Sequence, residues 1–549
     1  MKLAWRATAF LAACTFLALS GSLWAADETG TRVTAGSGDA IVDYINERIR
    51  QGWSDNEIKP SEVAGDAEWL RRVYLDIAGH IPPAEVVTEF LADKDRTKRA
   101  KLIEKLLDDP SYERNFATVW TNLSVGRRAP RRGNRMPYSR EDMYRYYLRA
   151  FHDNRPWDQV VYDVVSAEGR HDREGAVNYL LAQMEMDDDG VQATAKTTKL
   201  FMGIQVQCTQ CHDHPFNKWE QDQFWQFNGF FRQLRKRVET EYNPKSGRNE
   251  DKYVFLEQKE FTGPVFFERR SGEMKVAYPT FFEETVPEGP EVDRRERLAK
   301  LMTQGDQPWI AKAMVNRTWS HFFGYGFTNP VDDMGPHKAP SHPELLDRLA
   351  AEFVKARYDV KQLVRWIANS EAYNLTSQFG RDNELDNPAA GEVPLFSHMY
   401  VKTMSPEQLY DSLIIATEAH KAGRSSWAEA DKKKQQWMQQ FVVAFDTDEA
   451  DEATTFNGTI PQALLMMNSE LVKDAISSDK GTYLGSVLAN RGSDMDKINQ
   501  LYESVLGRKP SRTELTKFNG IVRQYPNKNW AYQDIFWALL NSNEFIFNH

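Results

Sequence analysis

Cys208 and Cys211, followed at once by His212, are the residues of this chain best placed to do chemistry. The spacing Cys-x-x-Cys-His is that of covalent c-type haem attachment. On a helix, positions i, i+3 and i+4 share a face, so the spacing predicts two thiols and an imidazole pointing one way. Two thiols can bond the two vinyl groups of one porphyrin while His212 ligates its iron from one side. Leu200 and Ile204 continue that face upstream of Cys208. Downstream, Phe216, Trp219, Phe224, Trp225, Phe227, Phe230 and Phe231 are expected to wall a haem pocket. Two other readings stay open. The thiols can close a Cys208–Cys211 disulfide, or join His212 and His214 in another metal site, although ligands so close in sequence crowd a tetrahedron.

An iron held by His212 has a second face to fill. The distal candidates are His171, Met184, Met186 and His337. His214 stands too near His212 to cross the iron and is expected to hydrogen-bond a propionate or the backbone. Six ligands favour electron transfer; an open position favours peroxide or oxygen chemistry.

Other clusters are weaker. Arg127, Arg128, Arg131, Arg132 and Arg135 offer planar guanidinium groups to carboxylates, propionates or a sulfated glycan. Asp446, Asp448, Glu449, Asp451 and Glu452 lack the central glycine of a calcium loop and read as a solvated acidic stretch. Asp332, Asp333, His337 and His342 fall in a Pro/Gly-rich loop from which sequence alone draws no geometry. No nucleophile elbow, phosphate loop, zinc-protease helix or dinucleotide fingerprint is present.

Spacing and punctuation predict the elements that must hold these residues. Residues 1–25 read as an export leader: Lys2 and Arg6, an apolar run, then small residues around Ala25 and Ala26. Leu11-Ala12-Ala13-Cys14 offers a lipoprotein reading as the alternative. Residues 26–38 have linker composition. Helical spacing dominates 39–235, as in Leu102, Ile103, Leu106 and Leu107 before Pro110. Residues 236–290 change to short strand-like runs, Tyr253–Leu256 among them. Helices resume over 291–547, where Ser341 and Glu344 spell a capping box ahead of Leu345, Leu346, Leu349, Phe353 and Val354. The expected architecture is mainly α: two helical domains joined by a small β-rich linker or insertion. One echo crosses the chain. Tyr74-x-x-Ile77-x-Gly79-x-x-Pro82 before Phe90 returns as Tyr502-x-x-Val505-x-Gly507-x-x-Pro510 before Phe518, each spelling a helix, a glycine stop and a proline restart. Either the two ends pack as similar corners or the match is local helix grammar.

Composition narrows the function classes. With 549 residues, 41% hydrophobic and 27% charged, the chain is globular and large enough for several cores. A net charge of −10 argues against nucleic-acid binding. No window after the leader holds 18 apolar residues, so no membrane span is expected in the mature chain. Of three cysteines, two lie beyond the leader, and an oxidising compartment would bind them in a disulfide or a cofactor.

Longer motifs resemble a known pairing. Trp69–Gly79 (WLRRVYLDIAG) and Val206–Phe216 (VQCTQCHDHPF) resemble the planctomycete secreted cytochrome-like domain of unknown function. Met314–Gly324 (MVNRTWSHFFG), Ser341–Asp347 (SHPELLD) and Pro461–Asn468 (PQALLMMN) resemble the planctomycete secreted domain that usually follows it. The resemblance implies an exported, periplasmic or secreted protein with a single haem c on Cys208, Cys211 and His212. It also implies an unidentified redox partner and, by association only, a link to polysaccharide breakdown. The alternative is a haem-free secreted scaffold or carbohydrate-binding protein.

Overall fold

The computed structural model describes residues 39–127, 138–185, 189–287, 289, 291–304, 309–424, 426, 429–430, 432–433, 436–438, 440–441, 466–467 and 469–549. The leader, most of the arginine cluster, Met186 and the acidic stretch therefore lie outside the described residues. The fold is mainly α, with sheets of two or three strands.

Local signals explain where the helices begin. Asp39 accepts the Ile41 N–H at the head of Ala40–Asp55, and Asp109 accepts that of Ser111 before Pro110 opens Pro110–Val125. The Lys98–Leu107 helix buries Leu102, Ile103, Leu106 and Leu107, as their spacing predicts. One cap differs. The helix Pro343–Lys355 starts on His342, whose Nδ1 meets the Ser341 hydroxyl at 3.0 Å, so the expected Ser341/Glu344 box does not form. Val354 on that helix is exposed while its four apolar companions are buried.

The β segment opens with β2 (Leu234–Asn243) and β3 (Arg248–Gln258), an antiparallel hairpin extended by β1 (Gly169–Arg170) in the order β1-β3-β2. A smaller hairpin, β4 (Val265–Glu268) with β5 (Met274–Ala277), follows.

Apolar packing gathers into two cores. One runs from Val42 to Tyr400, and the other from Met404 to Phe545 with Leu75 and Ile81 added. The segment Asp66–Ala78 lies between them. Its Trp69, Leu70, Val73 and Ile77 enter the first core, while Leu75 enters the second. Two buried arginines tie the sides together. Arg71 donates to the carbonyls of Val505 (3.1 Å) and Phe545 (2.6 Å); Arg72 donates to those of Tyr373 (2.7 Å), Leu375 (2.8 Å) and His549 (3.2 Å).

The same segment ends in a wide π turn, Tyr74–Ala78, that buries Asp76. Its carboxylate accepts from Lys402 Nζ (2.6 Å), Tyr373 OH (2.7 Å) and Asn548 Nδ2 (2.8 Å). Lys402 also donates to the carbonyls of His321 (2.5 Å) and Phe322 (2.7 Å), capping the Trp309–Phe323 helix. Burial pulls the Lys402 ammonium down and Asp76 holds it up.

The repeated corners meet in space. Gly79 and Gly507 both take left-handed conformations, φ 79° and 69°, that side-chain-bearing residues resist. Pro82 lies 3.9 Å from where a Cβ on Gly507 would stand, and Ile81 shares the second core with Tyr502 and Val505.

Two stability outcomes follow. Lys402→Met leaves a buried carboxylate without its cation and should lower unfolding free energy by ~3–5 kcal/mol in chemical denaturation. Adding Asp76→Asn should restore part of that loss. Burial pushes His342 down to about 4, with Asp386 opposing. The unfolded ring takes its proton below about 6.5 while the folded ring waits until about 4, so stability should fall by about 3 kcal/mol as pH drops across that window. His342→Gln should flatten the slope of a denaturation series taken across it.

Candidate functional site

The CxxCH segment is built from turns. The helix Val191–Thr197 widens into a π turn, Thr198–Met202, and stops at Gly203 (φ 67°). A separate 3₁₀ turn, Gln207–Gln210, carries Cys208, and Cys211 follows it. This overturns the expected continuous face through Leu200, Ile204 and Cys208. Gly203 breaks it because the Met334 side chain occupies the space a Cβ would need, and only glycine takes that φ without strain. The buried Thr209 hydroxyl ties the 3₁₀ turn down through the Val206 carbonyl at 2.6 Å. Cys208 is half-buried and Cys211 exposed, and both are free thiols.

The two histidines take opposite tautomers. His212 Nδ1 lies 2.7 Å from the Asp213 carbonyl, which only accepts, so Nδ1 carries the proton and Nε2 keeps its lone pair. His214 Nδ1 accepts the N–H groups of Phe216 (3.2 Å) and Asn217 (3.1 Å), which puts its proton on Nε2. His214 thereby keeps a donor at Nε2, while His212 offers Nε2 as a base in the form that ligates metals. Beyond the loop, Asp213 Oδ1 accepts from Gln221 N at 2.8 Å, and Gln221 and Trp225 both donate to the Gln210 carbonyl.

The other wall comes from the second helical region. Met334 N donates to the Gly203 carbonyl at 2.8 Å, and Asp332 accepts from Gln205 at 2.7 Å. His337 Nε2 donates to Asp333 at 3.2 Å, and its ring lies 5.5 Å from that of His214. The loop from which sequence drew no geometry is thus seated on the CxxCH turn. Burial pushes the Cys208 thiol up and the Asp333 carboxylate adds to it; burial pulls His214 down and His337 adds to that.

The remaining candidates disperse. His171 is buried beside β3, its N–H on the Val254 carbonyl and its own carbonyl held by Asn178. Met184 is a core residue at the end of Val177–Gln183. The aromatic run divides: Phe224, Phe227, Phe230 and Phe231 are buried in the first core, whereas Phe216 is 78% exposed. Phe224, Phe227 and Trp219 line a cavity of about 30 Å³ with Ile204, Val206, Thr209 and Phe282. That volume suits a few water-sized molecules rather than a drug-sized ligand. Cys208, Cys211 and His212 do not line it, so the expected aromatic haem pocket is not formed there. Arg127, the described member of the arginine cluster, pairs with Glu407 at 3.2 Å.

The residues fit haem attachment by donor chemistry. Two free thiols stand at the required spacing and the imidazole between them and Asp213 offers Nε2. Among the described residues, no three His, Cys, Asp or Glu side chains converge to hold a metal ion by themselves. Sequence reasoning missed Asn217 and the Asp76–Lys402–Tyr373 set. Asp76 lay inside a quoted motif, but Lys402 and Tyr373 carry no local signal.

Comparisons with known proteins match two stretches of the chain. Residues 44–236 match the family model PSCyt2, protein of unknown function (DUF1549), and residues 294–522 match PSD1, protein of unknown function (DUF1553). No curated protein and no solved structure matches.

A raised Cys208 means less thiolate at a given pH. In haem-free protein, iodoacetamide should therefore modify Cys211 before Cys208 at pH 7.5, and Asp333→Asn should speed the Cys208 reaction, as read by peptide mass spectrometry.

Proposed function

For a chain that belongs with the proteins pairing the planctomycete cytochrome-like domain and the PSD1 domain, we propose the role of an exported redox protein carrying one covalent c-type haem. Cys208 and Cys211 would hold the group as thioethers, and His212 would face its iron through Nε2. When bound, that group supplies one-electron chemistry. The observation that carries the reading is the His212 Nδ1–Asp213 carbonyl bond, because it leaves the ligating nitrogen free directly after two unbonded thiols. The cytochrome-like description of the first domain suggests a haem-related role of the same kind.

The protein's own groups then have definite tasks. Gln221 and Trp225 fix the Gln210 carbonyl and so hold the CxxC turn. His214, a donor at Nε2, suits an acidic group such as a propionate. His337, with its Nε2 on Asp333, stands beside His214. Cys211 and Phe216 are exposed, which keeps the site open to a redox partner. Among the described residues no helix is long and apolar enough to cross a membrane. A polysaccharide-related substrate and a periplasmic or secreted location complete the proposal.

Protein exported by a host with cytochrome c maturation should stain for haem after denaturation and weigh one haem more than its processed polypeptide. Cys208→Ala should lose most of that colour. A wild-type mass equal to the polypeptide alone, or two hydrogens lighter, overturns the proposal, the second result favouring the disulfide scaffold.

A further inference from the structure

Two buried polar atoms are left without partners where the two domains meet. Asn217 belongs to the loop after CxxCH, and its Oδ1 accepts the Trp219 N–H at 2.8 Å. That bond fixes the orientation of the amide and leaves Nδ2, a donor, buried and unsatisfied. His337 belongs to the facing loop. Its Nε2–H is committed to Asp333, so Nδ1 of the neutral ring is an acceptor, also buried and unsatisfied. Both atoms border one spot: a Cβ on Gly335 would stand 2.5 Å from His337 Nδ1 and 3.4 Å from Asn217 Nδ2. The absence of a side chain at 335 is what lets the His337 ring stand there, with Asn217 Nδ2 on the same side.

Buried polar groups in folded proteins almost always find partners, directly or through a small molecule. A cation would face the Asn217 N–H, and an anion would face the His337 lone pair with Asp333 close behind it. Only a group that donates and accepts at once satisfies both atoms. We propose that Asn217 and His337, one from each domain, form a seat for a single neutral hydroxyl group, which accepts from Asn217 Nδ2 and donates to His337 Nδ1. That chemistry is shared by water and by an alcohol of a polyol or saccharide. The seat is independent of haem attachment, because neither atom belongs to the CxxCH residues.

Crystals of the full mature chain, grown without and then soaked with xylitol, test the seat. The expected result is an oxygen within hydrogen-bond distance of both atoms. The same solvent oxygen in both crystals assigns the seat to water, and a xylitol hydroxyl in its place assigns it to a polyol; either supports the proposal. An empty gap, a direct Asn217–His337 bond, or an anion there overturns it. In solution, Asn217→Asp and His337→Phe are measured singly and together by thermal midpoint. A shared bridge makes the combined shift smaller than the two single shifts added, whereas strictly additive shifts overturn it.

Discussion

A carboxylate sealed from water must be given a cation and donors by the chain around it, and Asp76 sets that requirement for this fold. Lys402, Tyr373 and Asn548 meet it from three distant points in the sequence. Because Lys402 also closes the helix that ends at Phe323, one charge pair settles where four segments stand. The segment carrying Asp76 lies between the two apolar cores, with Arg71 reaching carbonyls of the C-terminal region and Arg72 those of Tyr373, Leu375 and His549. Those bonds are directional, whereas apolar contact alone would let the cores slide. The network is structural: each Lys402 proton has an acceptor, and the carboxylate holds three donors.

That rigidity matters for the CxxCH turn, which is held by little of its own. It is an irregular stretch between a π turn and a short helix, and its hydrogen bonds go to Val206, Gln221 and Trp225 rather than along a ladder. Irregular backbone keeps a geometry only when neighbours over-determine it. Here the neighbours include the 332–338 loop, which comes after the helix that Lys402 caps, beyond residues 324–331. The anchored framework thus reaches the site through one loop and one glycine.

How much of this was legible depended on the range of the forces involved. The mainly helical fold, the β segment after residue 235 and the helix at 98–107 could be read because apolar periodicity and caps act within a few residues. The matching corners at Gly79 and Gly507 were visible as a pattern, and their mutual packing was not, since no local rule brings residues 400 apart together. The helical face at Leu200–Cys208 failed for the same reason in reverse. Its spacing was right for a helix, but the chain turns at Gly203, a left-handed position that Met334, more than a hundred residues on, leaves room for no side chain to fill. Ser341 and Glu344 spelled a cap, yet the buried His342 ring draws the Ser341 hydroxyl to itself. His212 and His214 were identified by type, while their tautomers depend on carbonyls and N–H groups that only the folded loop supplies.

The two domains meet where their chemistry is concentrated. The first core, from Val42 to Tyr400, already joins the two domains by apolar packing. Polar contacts beside CxxCH add to it: Met334 bonds the Gly203 carbonyl, Asp333 biases the Cys208 thiol, and His337 stands against His214. An isolated first domain would keep both thiols and His212, and would lose the carboxylate and imidazole that set their surroundings. It would also uncover Gly203 and the Asn217 amide. The pairing of these domains in one chain therefore has a physical ground at the CxxCH turn, where the second domain supplies polar partners to the first.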